Sequence, residues 1–267
     1  MFPERQLGPH KEWKAEVEYL DAIFPNGSAY TVGKVNGDHW LLYMTEPPST
    51  MPGDETRAVD STIEILMTQL SPACTEQFFL SQSPAEERNS PSTHGLDISS
   101  KTGISDLFPP HLTTLDAYSF TPCGYSSNAL LKSEIGPSEG YHTIHVTPES
   151  GWSYASFECN ALLPTSFTLN QNSFPDLQTL VRRVVNIFQP AKLTLTLFIS
   201  SPNIQEEISS VEAAQTAFRL ALTSPSRPNG GSEHDLVYRR TDKINYEFGS
   251  YDLAFASFEL SSTAHFH

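Results

Sequence analysis

HTIHVTPESGWSYASFECN, residues 142–160, is two β-runs with a stop between them. Pro148 offers no N–H to a ladder, so the first run ends there. The stretch PESG turns the chain, and WSYASFECN sets out again. Period two puts Trp152, Tyr154, Ser156 and Glu158 on one face of that second run, with Ser153, Ala155 and Phe157 on the other. A carboxylate sharing a face with two aromatics sits at an edge or is paired with something positive. Hairpins of this kind, interrupted by a few helices, predict antiparallel α+β layers.

The pattern extends outward in both directions. Residues 11–24, KEWKAEVEYLDAIF, place Trp13, Val17, Leu20 and Phe24 on one helical face, closed by Asn26-Gly27. SAYTVGKVNGDHWLLYMT then predicts a hairpin turning at Asn36-Gly37 as a type I′ pair. EPPSTMPGDETRA, 46–58, is a Pro-rich connector and a candidate boundary. DSTIEILMTQL, 60–70, fits strand or helix, and its flanking punctuation favours strand. Ser71-Pro72 starts a short helix. The polar stretch 81–103 is expected to be a surface loop. SFPDLQTLVRRVVNIFQP carries Leu177, Leu180, Val181, Val184, Ile187 and Phe188 on one helical face, with Ser173 as the expected cap. KLTLTLFIS and YDLAFASFEL follow as strands.

Composition limits the function classes. The 267 residues carry 16 Lys and Arg against 31 Asp and Glu, a net charge of −15. Such a chain repels nucleic acid from most faces and suits a small cationic ligand. No apolar run approaches the ~20 residues of a membrane span, and MFPERQLGPHKEW has no apolar signal core. Three cysteines, Cys74, Cys123 and Cys159, make neither a disulfide framework nor a zinc spacing. A cytoplasmic protein is expected.

Chemistry concentrates in two places. His145 is mid-strand, where an imidazole is commonly structural, but Glu149 projects just past Pro148 beside it. In SFTPCGYSSN, Gly124 permits a tight turn that exposes Cys123 and Ser126. No GxSxG elbow is present, and Ser126 with His145 lacks an orienting acid, so acyl transfer is not supported. Asp60, Thr62 and Glu64 share one face if residues 60–70 form a strand.

FTPCGYSSN followed by YHTIHVTPE and SYASFE closely resembles the eukaryotic S-adenosylmethionine decarboxylases, with wording nearest the fungal members. GPHKEWKAEVEYLDAIFPNGSAY, TIEILMTQL, LVRRVVNIFQP and SYDLAFASF agree in order, while 81–103 and 203–235 agree poorly. The resemblance implies a four-layer αββα sandwich of two antiparallel sheets flanked by helices, residues 1–53 being a remnant of a first repeat and 54–267 the second. It implies decarboxylation of S-adenosylmethionine for spermidine and spermine synthesis, with a covalent pyruvoyl group as electron sink. It also implies proton handling by Ser126 and His145, adenine stacking on Phe120, and ribose binding by Glu149. Asp60, Thr62, Glu64, Glu158, Phe198 and Tyr251 would form an acidic site that takes putrescine as activator.

The family's cleavage serine lies upstream of FPERQ. The expectation is therefore a truncated form, inactive alone, completed by the N-terminal segment or a homologous chain. The alternative is a non-catalytic regulatory or ligand-binding member. Glu149-Ser150, the one Glu-Ser here, is read as no processing site because its flanks do not match.

Overall fold

The computed structural model describes residues 6–37, 39–45, 60–79, 90–132, 139–163, 173–200, 210–224, 236–248 and 251–261. The chain divides into two compact units, Met1–Ala58 and Val59–His267. The fold is α+β, with one antiparallel sheet in each unit. The connector at 46–58 lies outside the described residues.

In the first unit, helix α1 (Trp13–Asp21) precedes a hairpin of β1 (Gly27–Gly33) and β2 (His39–Thr45). The register runs from Gly27 opposite Thr45 to Gly33 opposite His39. The turn is not the expected two-residue one. Gly37 N–H donates to Lys34 O at 3.0 Å, so Val35 and Asn36 are central, and neither Asn36 nor Gly37 has the positive φ that type I′ requires. Val32 alone is buried among the unit's described residues.

The second unit is built on eight strands: β3 (Ser61–Leu70), β4 (Thr113–Ser119), β5 (Tyr125–Lys132), β6 (Glu139–Thr147), β7 (Tyr154–Cys159), β8 (Pro190–Ser200), β9 (Tyr238–Phe248) and β10 (Tyr251–Leu260). Their order across the sheet is β4-β5-β6-β7-β3-β8-β10-β9, antiparallel throughout. The opening stretch is thus the β6–β7 hairpin, paired from His142 opposite Cys159 to Thr147 opposite Tyr154.

Alternate residues of these strands enter one core: Ile63, Ile65 and Met67 of β3, Ala155, Phe157 and Cys159 of β7, Leu193, Leu195 and Leu197 of β8. Helices α2 (Pro72–Thr75), α3 (Pro91–Thr102), α4 (Leu177–Phe188) and α5 (Ser210–Thr223) complete the unit. The predicted stripe of α4 is the buried one, with Leu180, Val181, Val184 and Phe188 in the core. Its cap is Asp176, not Ser173. The Asp176 carboxylate accepts from Thr179 N–H at 2.9 Å and from its hydroxyl at 2.8 Å, and a charged cap also meets the helix dipole favourably. Arg182 donates to the carbonyls of Leu220 and Ala221 at the end of α5, while Arg183 donates to those of Asp106 and Leu107.

Helix α3 corrects the reading of 81–103 as loop, residues 81–89 of which lie outside the described residues. Ser90 caps it by accepting from Thr93 N–H at 3.1 Å, Pro91 stands at its first position, and Gly103 ends it at φ 84°. Its inner face is polar yet buried, which concealed it. Ser119 Oγ donates to Pro91 O, so at the 2.8 Å contact between His94 Nδ1 and Ser119 Oγ the imidazole N–H is the donor. Ser99 donates to Gly95 O and so accepts from Tyr125 OH at 2.7 Å. Gly95 lets α3 lie directly on β4, because a Cβ there would stand 2.6 Å from Tyr118 N and 2.7 Å from Ala117 O. The neighbour being backbone, it has little room to yield. Gly95→Ala should therefore cost about 3 kcal/mol by overpacking, read as a lowered midpoint in denaturant with an unchanged slope. An unchanged midpoint would mean that α3 lifts off β4 freely.

Candidate functional site

Turning one face of the large sheet to the helices leaves the opposite positions, two residues apart on each strand, for a second face. Lateral register then decides which of them meet. Phe255, Thr196, Glu64, Glu158, Thr143, Asn128 and Asp116 form one row across β10, β8, β3, β7, β6, β5 and β4. Two residues along the strands, Ser257, Thr194, Leu66, Ser156, His145, Ser126 and Tyr118 form the next row. All ten residues singled out from the sequence belong to this unit, nine of them within the strands or one residue from their ends.

Ser126 of β5 and His145 of β6 are direct cross-strand partners, and Ser126 Oγ lies 2.8 Å from His145 Nδ1. The pair is on the open side of the sheet, with His145 exposed and Ser126 half-buried. The ladder beyond them ends in two loops at the same edge. Between β4 and β5, Gly124 takes φ 114° and its carbonyl accepts from Phe120 N–H at 3.0 Å, which leaves the Phe120 ring 52% exposed. Between β6 and β7, Pro148 is buried and Glu149 is exposed, its carbonyl accepting from Trp152 N–H at 3.1 Å. Burial first, and then the nearby Glu149 carboxylate, push the Cys123 thiol up. Trp152 precedes β7 and is 74% exposed, so the face of β7 proper is Tyr154, Ser156 and Glu158.

The acidic residues assemble at the middle of the sheet. Glu64 stands opposite Glu158, and Thr62 opposite Phe198. Asp60 caps the end of this strand pair: its N–H donates to Ser200 Oγ at 2.8 Å, and the Tyr251 hydroxyl reaches its carboxylate at 3.4 Å. Burial first, and then the facing charge of Glu158, push the Glu64 carboxyl up to about 7. Two groups escaped the sequence reading. Tyr141 donates to Glu158 at 2.5 Å, and that bond leads the causes that push the phenol up to about 12. Thr196, fully buried beside Glu64, has a hydroxyl without a partner among the described residues. Extending the alternation of β6 back two residues from Thr143 reaches Tyr141; nothing local marks Thr196.

This is a row of carboxyls walled by Phe198, Tyr251 and Tyr141, which suits an organic cation. Beside it, a hydroxyl–imidazole pair able to pass a proton opens towards an aromatic ring and a further carboxylate.

Comparison with known proteins places this geometry. The family described as Adenosylmethionine decarboxylase matches residues 1–259. The S-adenosylmethionine decarboxylase proenzyme of Saccharomyces cerevisiae is 34% identical over 268 residues, 95% of this chain and 61% of the relative. That of Xenopus laevis is 33% identical over 259 residues, covering 97% and 62%. The chain thus spans about three fifths of the length of these relatives. The crystal structure of the Trypanosoma brucei AdoMetDC-delta26 monomer aligns over 98% of this chain and 81% of its own at a TM-score of 0.56, with 19% identity, a likeness of fold.

The raised Glu64 pKa fixes a sign. The unfolded carboxyl releases its proton near 4.5 and the folded one near 7. The contribution of this group to stability is whole below the lower value and is lost as pH rises through the upper one. Glu64→Gln should therefore melt a few degrees above the parent chain above neutrality, with the gap closing on acidification to the ordinary carboxyl range. A gap independent of pH would show Glu64 to be an ordinary carboxylate.

Proposed function

The chain belongs to the adenosylmethionine decarboxylase family, and from that membership together with the Ser126–His145 pair we propose that it serves the decarboxylation of S-adenosylmethionine for spermidine and spermine synthesis. The observation that carries the reading is the 2.8 Å contact between Ser126 Oγ and His145 Nδ1, held by direct strand pairing at the open side of the sheet. It offers a proton donor and acceptor whose separation is fixed by the ladder. At neutral pH an imidazole is the side chain best suited to take a proton from a hydroxyl and return it.

Decarboxylation of an amino acid leaves a carbanion, and a pyruvoyl carbonyl bound at the site supplies the sink for its electrons. A hydroxyl and an imidazole on an open face fit the proton handling that forming and using such a group requires. The remaining roles follow from position. Phe120, exposed at the tip between β4 and β5, offers a flat face to the adenine. Glu149, exposed where the β6–β7 ladder stops, accepts hydrogen bonds from the two ribose hydroxyls. Glu149→Gln and Phe120→Ala should each weaken S-adenosylmethionine binding by ~1–3 kcal/mol in calorimetry, the first by loss of charge-assisted hydrogen bonds and the second by loss of stacking. Unchanged affinity in both variants, or no release of carbon dioxide from carboxyl-labelled substrate by any form of the protein, would overturn this reading.

The acidic row is proposed to hold putrescine as an activator. A diammonium ligand relieves the repulsion between Glu64 and Glu158, and the rings of Phe198 and Tyr251 accept its alkyl chain and cationic ends. Thr62 of β3 and Asp60 just before that strand receive the second ammonium. Putrescine at a hundred times its dissociation constant should stabilise the fold by ~2.7 kcal/mol, seen as a raised melting temperature near neutral pH. The combined Asp60→Asn, Glu64→Gln and Glu158→Gln variant should show no such rise. A rise of equal size in that variant would place the amine elsewhere.

A further inference from the structure

Two carboxyls facing each other across a strand pair repel when both are charged, and the next strand offers a means of choosing between them. Glu64 of β3 stands directly opposite Glu158 of β7. On the far side of β7, Tyr141 of β6 is tied to Asn160 twice: its N–H donates to Asn160 Oδ1 at 2.7 Å, and its carbonyl accepts from Asn160 N–H at 3.2 Å. Glu158 lies two residues before Asn160, so the phenol is its diagonal cross-strand neighbour, a span an aromatic side chain can bridge. Tyr141 OH donates to Glu158 Oε1 at 2.5 Å. On the other side of Glu64, Thr196 of β8 is fully buried, and its hydroxyl has no partner among the described residues. Around the pair on this face stand Asp60 before β3, Tyr154 of β7, His145 of β6 and Tyr251 of β10. The one lysine of β8, Lys192, is paired with Glu259 at 3.6 Å.

We propose that Tyr141 is a positioning residue that orders the charge of this pair: its hydrogen bond fixes Glu158 as the anion and leaves the proton with Glu64, so that an organic ammonium enters the row in exchange for that proton. This rests on the reading of the row as an amine site. The asymmetry is one of donors. A hydrogen bond donated to a carboxylate favours its charged form, whereas burial favours the neutral one. Glu64 is thus the acid of the pair, in keeping with the push of burial and of the facing Glu158 charge to about 7. The Thr196 hydroxyl beside it is an acceptor for an acid proton or for an ammonium N–H. When the ammonium arrives, its charge replaces that of the proton, Glu64 ionises and the proton leaves to solvent. The empty row is thereby relieved of two facing carboxylates, and the occupied row holds both against the charge of its ligand.

Carboxyl titration and amine binding test the ordering and the exchange separately. The glutamate side-chain carboxyls are isotope-labelled and followed by NMR against pH without ligand, the two resonances being assigned with Glu64→Gln and Glu158→Gln. In the parent chain the Glu64 resonance is expected to move through neutral pH while that of Glu158 stays fixed there. In Tyr141→Phe, which keeps the ring in the wall of the row, both should move together, as a proton shared between coupled carboxyls requires. A bond that served packing alone would leave the two titrations as they were. Calorimetry with putrescine, repeated in buffers of different ionisation enthalpy, then counts the proton. The parent should release about one proton per amine bound just below neutral pH and almost none at well-alkaline pH, where Glu64 is already ionised. Identical titrations in the parent and Tyr141→Phe, or a parent in which Glu158 moves and Glu64 does not, would overturn the ordering. Amine binding without proton release at the lower pH would overturn the exchange. If the titration contrast holds but the parent binds no putrescine, the amine reading of the row fails and the exchange with it, while the ordering of the pair by Tyr141 stands.

Discussion

Successive side chains of a β-strand point to opposite faces, and in this sheet the alternation is pinned on one side by a continuous apolar core. Ile63, Ile65 and Met67 are almost completely buried, and their neighbours Thr62, Glu64 and Leu66 have nowhere to point but the other way. A one-residue slip of β3 would drive Glu64 into the core and lift Ile65 out of it, so the register is strongly specified. The position of every polar group on the open face follows from that. Ser126 meets His145, and Glu64 meets Glu158, because hydrophobic residues one step along each strand have already chosen their partners.

The same logic explains what could be read from the sequence. Alternation is local, and so β3, the β6–β7 hairpin and the two faces of residues 154–159 were legible, as was the apolar stripe of α4. Helix α3 was not, because its buried face is made of His94, Gly95, Ile98 and Ser99, a set whose burial depends on hydrogen bonds to Ser119 and Tyr125 far along the chain. Its ends were nonetheless written in Ser90-Pro91 and Gly103. The cap of α4 was misplaced by three residues because Ser173 and Asp176 are both competent, and only the fold shows which faces Thr179. In the site, lateral neighbours depend on sheet order. That β3 lies between β7 and β8 cannot be derived from spacing, so the approach of Tyr141 and Thr196 to the carboxyls was invisible.

Directly opposed like charges destabilise a strand pair, and the sheet retains that cost instead of removing it. Either glutamate could have been an amide at little expense to packing. Instead Glu64 holds its proton to about 7, Tyr141 commits its hydroxyl to Glu158, and Thr196 brings a buried hydroxyl with no partner among the described residues to the same row. Local rules are broken in this way where a site is made for something other than stability. Glu64, Glu158 and Thr196 share one lateral row, with Tyr141 bonded to it from the strand beside, and that convergence is what distinguishes the row from an incidental patch of acids.

The sheet order carries a further consequence, for synthesis. β3 is the first strand of its unit to leave the ribosome, yet it lies at the sheet's interior, and its partners Cys159 of β7 and Leu197 of β8 follow Ile63 by roughly a hundred residues or more. At ~5–20 residues per second, that strand waits on the order of ten seconds with Ile63, Ile65 and Met67 unsheltered. β4, β5, β6 and β7 can meanwhile zip sequentially into a meander. The nascent chain thus has a half-sheet with an open edge before its central strand has two neighbours, and during that interval both β3 and the free edge of β7 are open to pairing elsewhere.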